Sequence, residues 1–255
     1  MRQKQTKHQS RRVEKHAGML PEQAMASALP PPARSKPQPF EPKTERQRAY
    51  ASAMRRAGSV VFGLGKAGTG KTYVAGCIAA EALLNKEVEK IILTRPAVEA
   101  GGENLGFLPG EKEQKFDPYF DPFRDVLEER LGKSFVEYLI KEGRIKCEPF
   151  AYMRGKTFKN AFVILDEAQN ATPEQFKLFL TRVGQGATVV INGDESQVDI
   201  KGKSGLVDAA ARLFHINGVK VVKFRVEDVV RSGFVQEVIE AYEVEAPRVH
   251  PSLQD

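Results

Sequence analysis

Gly65-Lys66-Ala67-Gly68-Thr69-Gly70-Lys71-Thr72 stands behind the apolar run Ser59-Val60-Val61-Phe62-Gly63-Leu64 and ahead of a helical-looking stretch, Tyr73 to Leu84. A glycine loop between a strand and a helix is the setting in which a P-loop pattern reads as a phosphate site rather than as a turn at a strand end. Its glycines let the backbone curl so that successive N–H groups aim at phosphate oxygens, and the dipole of the next helix favours the same negative charge. Lys71 is expected to reach the β- and γ-phosphates, and the Thr72 hydroxyl to ligate Mg2+.

A second signal follows 95 residues after Lys71: Phe162-Val163-Ile164-Leu165 runs into Asp166-Glu167-Ala168-Gln169. A buried strand that delivers an acid at its C-terminal end suits Mg2+ coordination, because ligands of such sheets bind at that edge. Asp166 is expected to hold the metal through its water shell and Glu167 to polarise the attacking water as general base. A third run, Thr188 to Asn192, ends in Gly193-Asp194-Glu195-Ser196-Gln197. There a neutral amide such as Gln197 can bond both γ-phosphate and water without changing the local charge, which makes it a sensor candidate. Upstream, Gln47 in Thr44-Glu45-Arg46-Gln47 is the candidate for reading the adenine edge. Phosphoryl transfer also draws on a positive charge, for which Arg182 and Arg231 are candidates; each equally suits a surface salt bridge.

Past Pro42 apolar runs alternate with amphipathic stretches, which predicts an α/β fold, a mostly parallel sheet with helices on both faces. Strands are predicted over 59–64, 90–94, 145–149, 161–165, 188–192 and 219–224, several of them continuous apolar runs suited to burial on both faces. Helices are predicted over 73–84, 122–131, 173–183, 205–213 and 235–242, with Thr172 before Pro173 and Glu174 marking a helix start. Residues 96–120, rich in Gly, Pro, Glu and Lys, read as an insertion.

The 255-residue chain carries a net charge of +6, and residues 1–40 hold eight Lys or Arg against two Glu, which accounts for all of it. This tail, with Pro30-Pro31-Pro32, reads as a flexible polyelectrolyte that suits a nucleic-acid backbone or simply solvates the chain. Residues 41–246 form the expected nucleotide domain and 247–255 a C-terminal tail. No run of about 18 apolar residues is present, and the N-terminus lacks the apolar core of a secretory signal, so no membrane partner is expected. Two cysteines, Cys77 and Cys147, and four scattered histidines show no zinc spacing, and reduced thiols point to a cytoplasmic setting.

Taken with Thr94-Arg95-Pro96-Ala97-Val98-Glu99-Ala100-Gly101, Leu105-Gly106-Phe107-Leu108-Pro109-Gly110, Met153-Arg154-Gly155-Lys156-Thr157-Phe158, Leu165-Asp166-Glu167-Ala168-Gln169-Asn170 and Thr181-Arg182-Val183-Gly184, the chain closely resembles the PhoH family of ATPases. The resemblance implies a RecA-like, helicase-type P-loop core, binding and hydrolysis of ATP with Mg2+, and a role in RNA handling. It runs from about residue 40 to 245 and departs from the family at the extra glycine of Gly101-Gly102, at Lys201 and at Ser232-Gly233. No fused nuclease domain fits in the first 40 residues, so the compact stand-alone form that bacteriophages also carry is expected.

Independently of the family, helicases that act as monomers place ATP between two lobes, whereas 59–242 has room for one. A head-to-tail ring, expected to be a hexamer, brings a neighbour's arginine to each site. Three function classes stay open: an ATP-driven motor on RNA or single-stranded DNA, with Thr94, Arg95 and 96–120 near the strand; a nucleotide-dependent assembly scaffold; and a small-substrate kinase, against which Glu167 beside Asp166 suits water activation better than acceptor binding. Phe107, Phe116, Tyr119, Phe120 and Phe123 suit base stacking, and better suit packing of the insertion's own core.

Overall fold

Six strands pair side by side and all in parallel: β1 (Val60–Leu64), β2 (Lys90–Thr94), β3 (Ile145–Cys147), β4 (Ala161–Leu165), β5 (Thr188–Gly193) and β6 (Val219–Lys223). They come from a computed structural model that describes residues 38–56, 58–96, 117–153, 155–230, 233, 237 and 238. The order across the sheet is β3-β2-β4-β5-β1-β6. The strand ending in Gly193-Asp194 is therefore wedged between the P-loop strand and the strand ending in two carboxylates, with Gly63 opposite Asn192 and Leu165 opposite Ile191.

Alternation along each strand sends successive residues to opposite faces. Val61, Ile91, Phe162, Ile164 and Val190 face one core with α1 (Glu45–Met54), α2 (Lys71–Leu84), α3 (Asp117–Leu131) and α4 (Lys133–Lys141). Phe62, Ile92, Val163, Leu165, Val189 and Ile191 face a second core with α5 (Pro173–Leu180) and α6 (Leu206–Leu213). Every residue of β4 and β5 is buried; β4 reads as an unbroken apolar run, and β5 carries Val189, Val190 and Ile191 between Thr188 and Asn192. Each large side chain so enclosed contributes roughly 1.5–3 kcal/mol relative to exposure.

The α/β architecture and all six strands agree with the sequence reading, with ends differing by one or two residues; β3 stops at Cys147, not Pro149. The helix start at Thr172 is a full capping box: the Gln175 N–H donates to Thr172 Oγ1 (3.3 Å) and the Thr172 N–H to Gln175 Oε1 (2.8 Å). Its far end falls at Leu180 rather than at Val183, because Val183 forms a parallel bridge with Phe158. The helix foreseen over 122–131 starts at Asp117, so the tail of the supposed insertion is helical. Phe120 and Phe123 are buried in the first core, the packing role rather than a stacking one. Helices α1 and α4 had no counterpart in the reading of the sequence. The basic tail up to residue 37, residues 97–116 of the insertion, and most of the helix foreseen over 235–242 lie outside the described residues. Among the described residues no helix is long and apolar enough to cross a membrane.

Candidate nucleotide site

At the C-terminal edge of the sheet, β1 ends and the chain turns through 65–70 into α2. Gly70 caps α2 with φ 79°, a left-handed conformation that glycine adopts without strain. The loop is pinned by main-chain bonds from outside it: Gly65 N–H to Gly193 O (3.1 Å) and Val230 N–H to Gly68 O (3.1 Å). The first N–H groups of α2 open at this loop without intrahelical partners, as at any helix start.

Lys71 lies 9% exposed, its Nζ donating to Gly65 O (2.6 Å) and Lys66 O (2.8 Å). Burial pulls this ammonium down from the ordinary lysine value, while the carboxylates of Asp194, Asp166 and Glu167 pull it back up. Three acids from two further strands thus converge on one cation. The Thr72 hydroxyl donates to Asp166 Oδ1 at 3.1 Å, so the two predicted metal residues, 94 positions apart in sequence, are in contact. Arg95 donates to the other oxygen, Oδ2, at 2.6 Å.

Asp194 carries the largest surprise. Its Oδ2 accepts the Ala67 N–H of the loop (3.0 Å), while Oδ1 accepts the N–H and hydroxyl of Ser196 (3.0 and 2.6 Å). An anionic oxygen on a loop amide shows that this main chain is aimed to receive negative charge, and a phosphate oxygen has the same chemistry. A hydroxyl beside a buried carboxylate is likewise the oxygen donor set that Mg2+ takes. The residues present fit a magnesium nucleotide.

Glu167 is exposed beside this cluster, with φ 53° and ψ 38°. A side chain other than glycine held there costs on the order of 1 kcal/mol, and such strain gathers at functional sites. Gln169 holds it: Nε2 donates to Glu167 Oε2 (2.8 Å) while Oε1 accepts the Asp194 N–H (3.1 Å). Asn170 repeats the pattern, accepting the Asp199 N–H (2.8 Å) and donating to its carboxylate (3.3 Å). These buried amides zip the loops after β4 and β5 together. The sequence reading passed over Gln169, Asn170 and Asp194; amides buried directly after an apolar strand were the available signal.

Gln47 is 3% exposed, its Nε2 donating to Thr69 O (3.0 Å) and its Oε1 accepting the Lys43 N–H (2.8 Å). One turn on, Tyr50 donates to Asn192 Oδ1 of β5. So α1 braces both loop and middle strand, and Gly63 leaves room for it: a Cβ there would lie 2.9 Å from Asn192 Oδ1. Gln197 lies in the turn after Asp194, its N–H on Asp194 O (3.1 Å) and its side chain exposed at the same edge.

Arg182 is elsewhere. Its carbonyl accepts the Phe158 N–H (2.9 Å), just ahead of the first residue of β4, so it stands at the N-terminal edge of the sheet. The length of β4, roughly 16 Å at about 3.3 Å per residue, separates that edge from Asp166. The structure does not bring Arg182 to the loop of its own chain. Arg231 lies outside the described residues, one position after Val230, whose N–H bonds the loop.

The wedged strand order, the loop and the acids define an α/β protein of the P-loop class. Residues 39–243 match the family model described as PhoH-like protein, and this chain belongs to the PhoH family. It is 53% identical over 203 residues to a PhoH-like protein of Bacillus subtilis (strain 168), covering 79% of this chain and 63% of that protein. It is 48% identical over 208 residues to Protein PhoH of Escherichia coli (strain K12), covering 80% and 58%. The chain thus spans about three fifths of the length of these relatives. Among solved structures it is similar to the large terminase from a thermophilic bacteriophage (TM-score 0.44, 11% identity, 79% of this chain and 50% of that one). It is also similar to the Pif1 helicase from Candida albicans (TM-score 0.35, 16% identity, 72% and 40%).

Proposed function

We propose that this chain binds ATP with Mg2+ and hydrolyses it in the service of RNA or single-stranded DNA, in the cytoplasm, as a head-to-tail hexameric ring. The observation that carries the reading is the meeting of Thr72, Asp166 and Lys71 at one strand edge, with a loop amide already turned to a carboxylate oxygen.

In this reading Lys71 and the amides of 65–72 hold the phosphates, and Thr72 with Asp166 holds the metal, which when bound offsets charge on the β- and γ-phosphates. Glu167, kept in place by Gln169 and open to solvent, takes the proton of the attacking water, a role worth about 100- to 10,000-fold in rate. Gln197 orients that water, and Gln47 meets the base from its post against Thr69. Arg182 serves the nucleotide of the neighbouring subunit, since its own lies across the sheet, and Arg231, one position after Val230 in sequence, is the second candidate for the positive charge. Nucleic acid is held by backbone-directed contacts that include Arg95 and the 96–120 stretch.

A polynucleotide panel tests this. Phosphate release by the full chain should rise with single-stranded RNA or DNA and fall steeply with salt. Hydrolysis indifferent to every polynucleotide would overturn the motor reading in favour of a nucleotide-dependent scaffold.

A further inference from the structure

Asp166 is a carboxylate almost sealed from solvent, 3% exposed, and a buried negative charge needs a cation or several donors beside it. In this structure Oδ1 has the Thr72 hydroxyl and Oδ2 has the Arg95 guanidinium at 2.6 Å, so both oxygens are engaged. Among the described residues the guanidinium reaches the Asp166 carboxylate through one terminal nitrogen, and its Nε is buried without a hydrogen-bond partner, unlike the two-pronged grip arginine usually takes on a carboxylate. With 21% of its side chain exposed, Arg95 has a path outward. Its main chain is fixed separately: Arg95 O accepts the Phe150 N–H (3.3 Å), and the neighbouring Asp166 N–H donates to Thr94 O (3.0 Å). The side chain can leave without moving β2.

We propose that Arg95 and the divalent cation compete for the Asp166 carboxylate, making Arg95 a built-in counter-ion that weakens metal binding and is expelled when the metal arrives. A dication and a guanidinium on one carboxylate repel each other within a few ångströms, where little water screens them. Lys71 adds a third positive charge to the same cluster, and Glu167 and Asp194 supply the remaining negative ones. Because Arg95 immediately precedes Pro96 and the stretch beyond it, its expulsion converts metal occupancy into a freed positive charge at the end of β2.

The inference rests on the metal reading above, and the test separates the two. Mn2+ uptake is measured by electron paramagnetic resonance on the full chain with saturating ADP, for wild type, Arg95→Gln and Arg95→Lys. Arg95→Gln should bind Mn2+ about tenfold more tightly than wild type, and Arg95→Lys, with a shorter and less directional cation, about threefold. Thermal melting should show Arg95→Gln destabilised in EDTA and raised by excess Mn2+ by more degrees than wild type is, a difference that lost packing alone would not give. If either variant binds Mn2+ no more tightly than wild type, the competition is overturned while the metal site stands. If no form takes up Mn2+, both fall together.

Discussion

At the C-terminal edge of the sheet, Lys71, Thr94, Asp166, Asn192 and Asp194 are buried and polar; at the N-terminal edge Ser59 and Thr188 are the buried polar residues, and the loops close on themselves through bonds such as Phe158 N–H to Arg182 O. The same strands, read from their two ends, obey different rules. One end closes its loops on main-chain bonds, with Arg182 Nε left buried without a partner there. The other collects opposite charges from four segments distant in sequence and leaves Thr94 Oγ1 and Asn192 Nδ2 buried without partners, a cost that a stability-driven core would not carry. The excess of buried polarity marks the end that carries the candidate site.

Several changes would break or sharpen this contrast. Lys71→Ala strips the cation from the C-terminal edge, and phosphate release should fall by about a thousandfold or more together with nucleotide affinity. Glu167→Gln should cut turnover by about 100-fold or more yet leave the affinity for a fluorescent ATP analogue within about twofold, since in the proposed role it removes the base and no phosphate contact. If Glu167→Gln hydrolyses normally, the general base is another group.

Arg182→Ala tests the quiet edge. Turnover should drop by about 100-fold in the assembled protein while nucleotide affinity holds, and activity should return when Arg182→Ala is mixed with Lys71→Ala, each supplying what the other lacks. Failure of the mixture to recover would confine Arg182 to structure.

Smaller effects address strain. Glu167→Asn places a residue tolerant of left-handed backbone at φ 53°, and denaturant unfolding should show a gain of up to about 1 kcal/mol alongside lost hydrolysis. Last, burial pushes the Cys77 thiol up to about 11, whereas Cys147 is half-buried at the end of β3. A raised value favours the unreactive protonated form at neutral pH. Ellman's reagent at pH 8 should therefore label one thiol quickly and Cys77 at least about 100-fold more slowly.

What the sequence made legible follows from the same contrast. Parallel strands buried on both faces are continuous apolar runs, so β1, β2, β4 and β5 could be read directly, and the loop and Asp166 stand at their ends. Helix α1 escaped because its buried stripe is made of Gln47, Tyr50, Ala51, Ala53 and Met54, too short and too mild to mark a face, although the Thr44 cap on the Gln47 N–H was a readable start. In α4, Phe135, Val136, Leu139 and Ile140 keep helical spacing, a pattern present but overlooked after Gly132. The contacts of Asp194 with Ala67 and of Arg95 with Asp166 span 127 and 71 residues and carry no local signature; only the strand order brings them together. Arg182 sits in a motif as specific as the others, yet which edge it occupies depends on where α5 ends.

Among the described residues β6 closes one margin of the sheet and pairs on one side only, with β1, next to exposed Val221. Such a margin invites another chain to zip on. Lys220 and Lys223, both exposed in the five-residue run Val-Lys-Val-Val-Lys, guard it with charge, and replacing the pair with threonine would turn a tidy border into a seed for clumping.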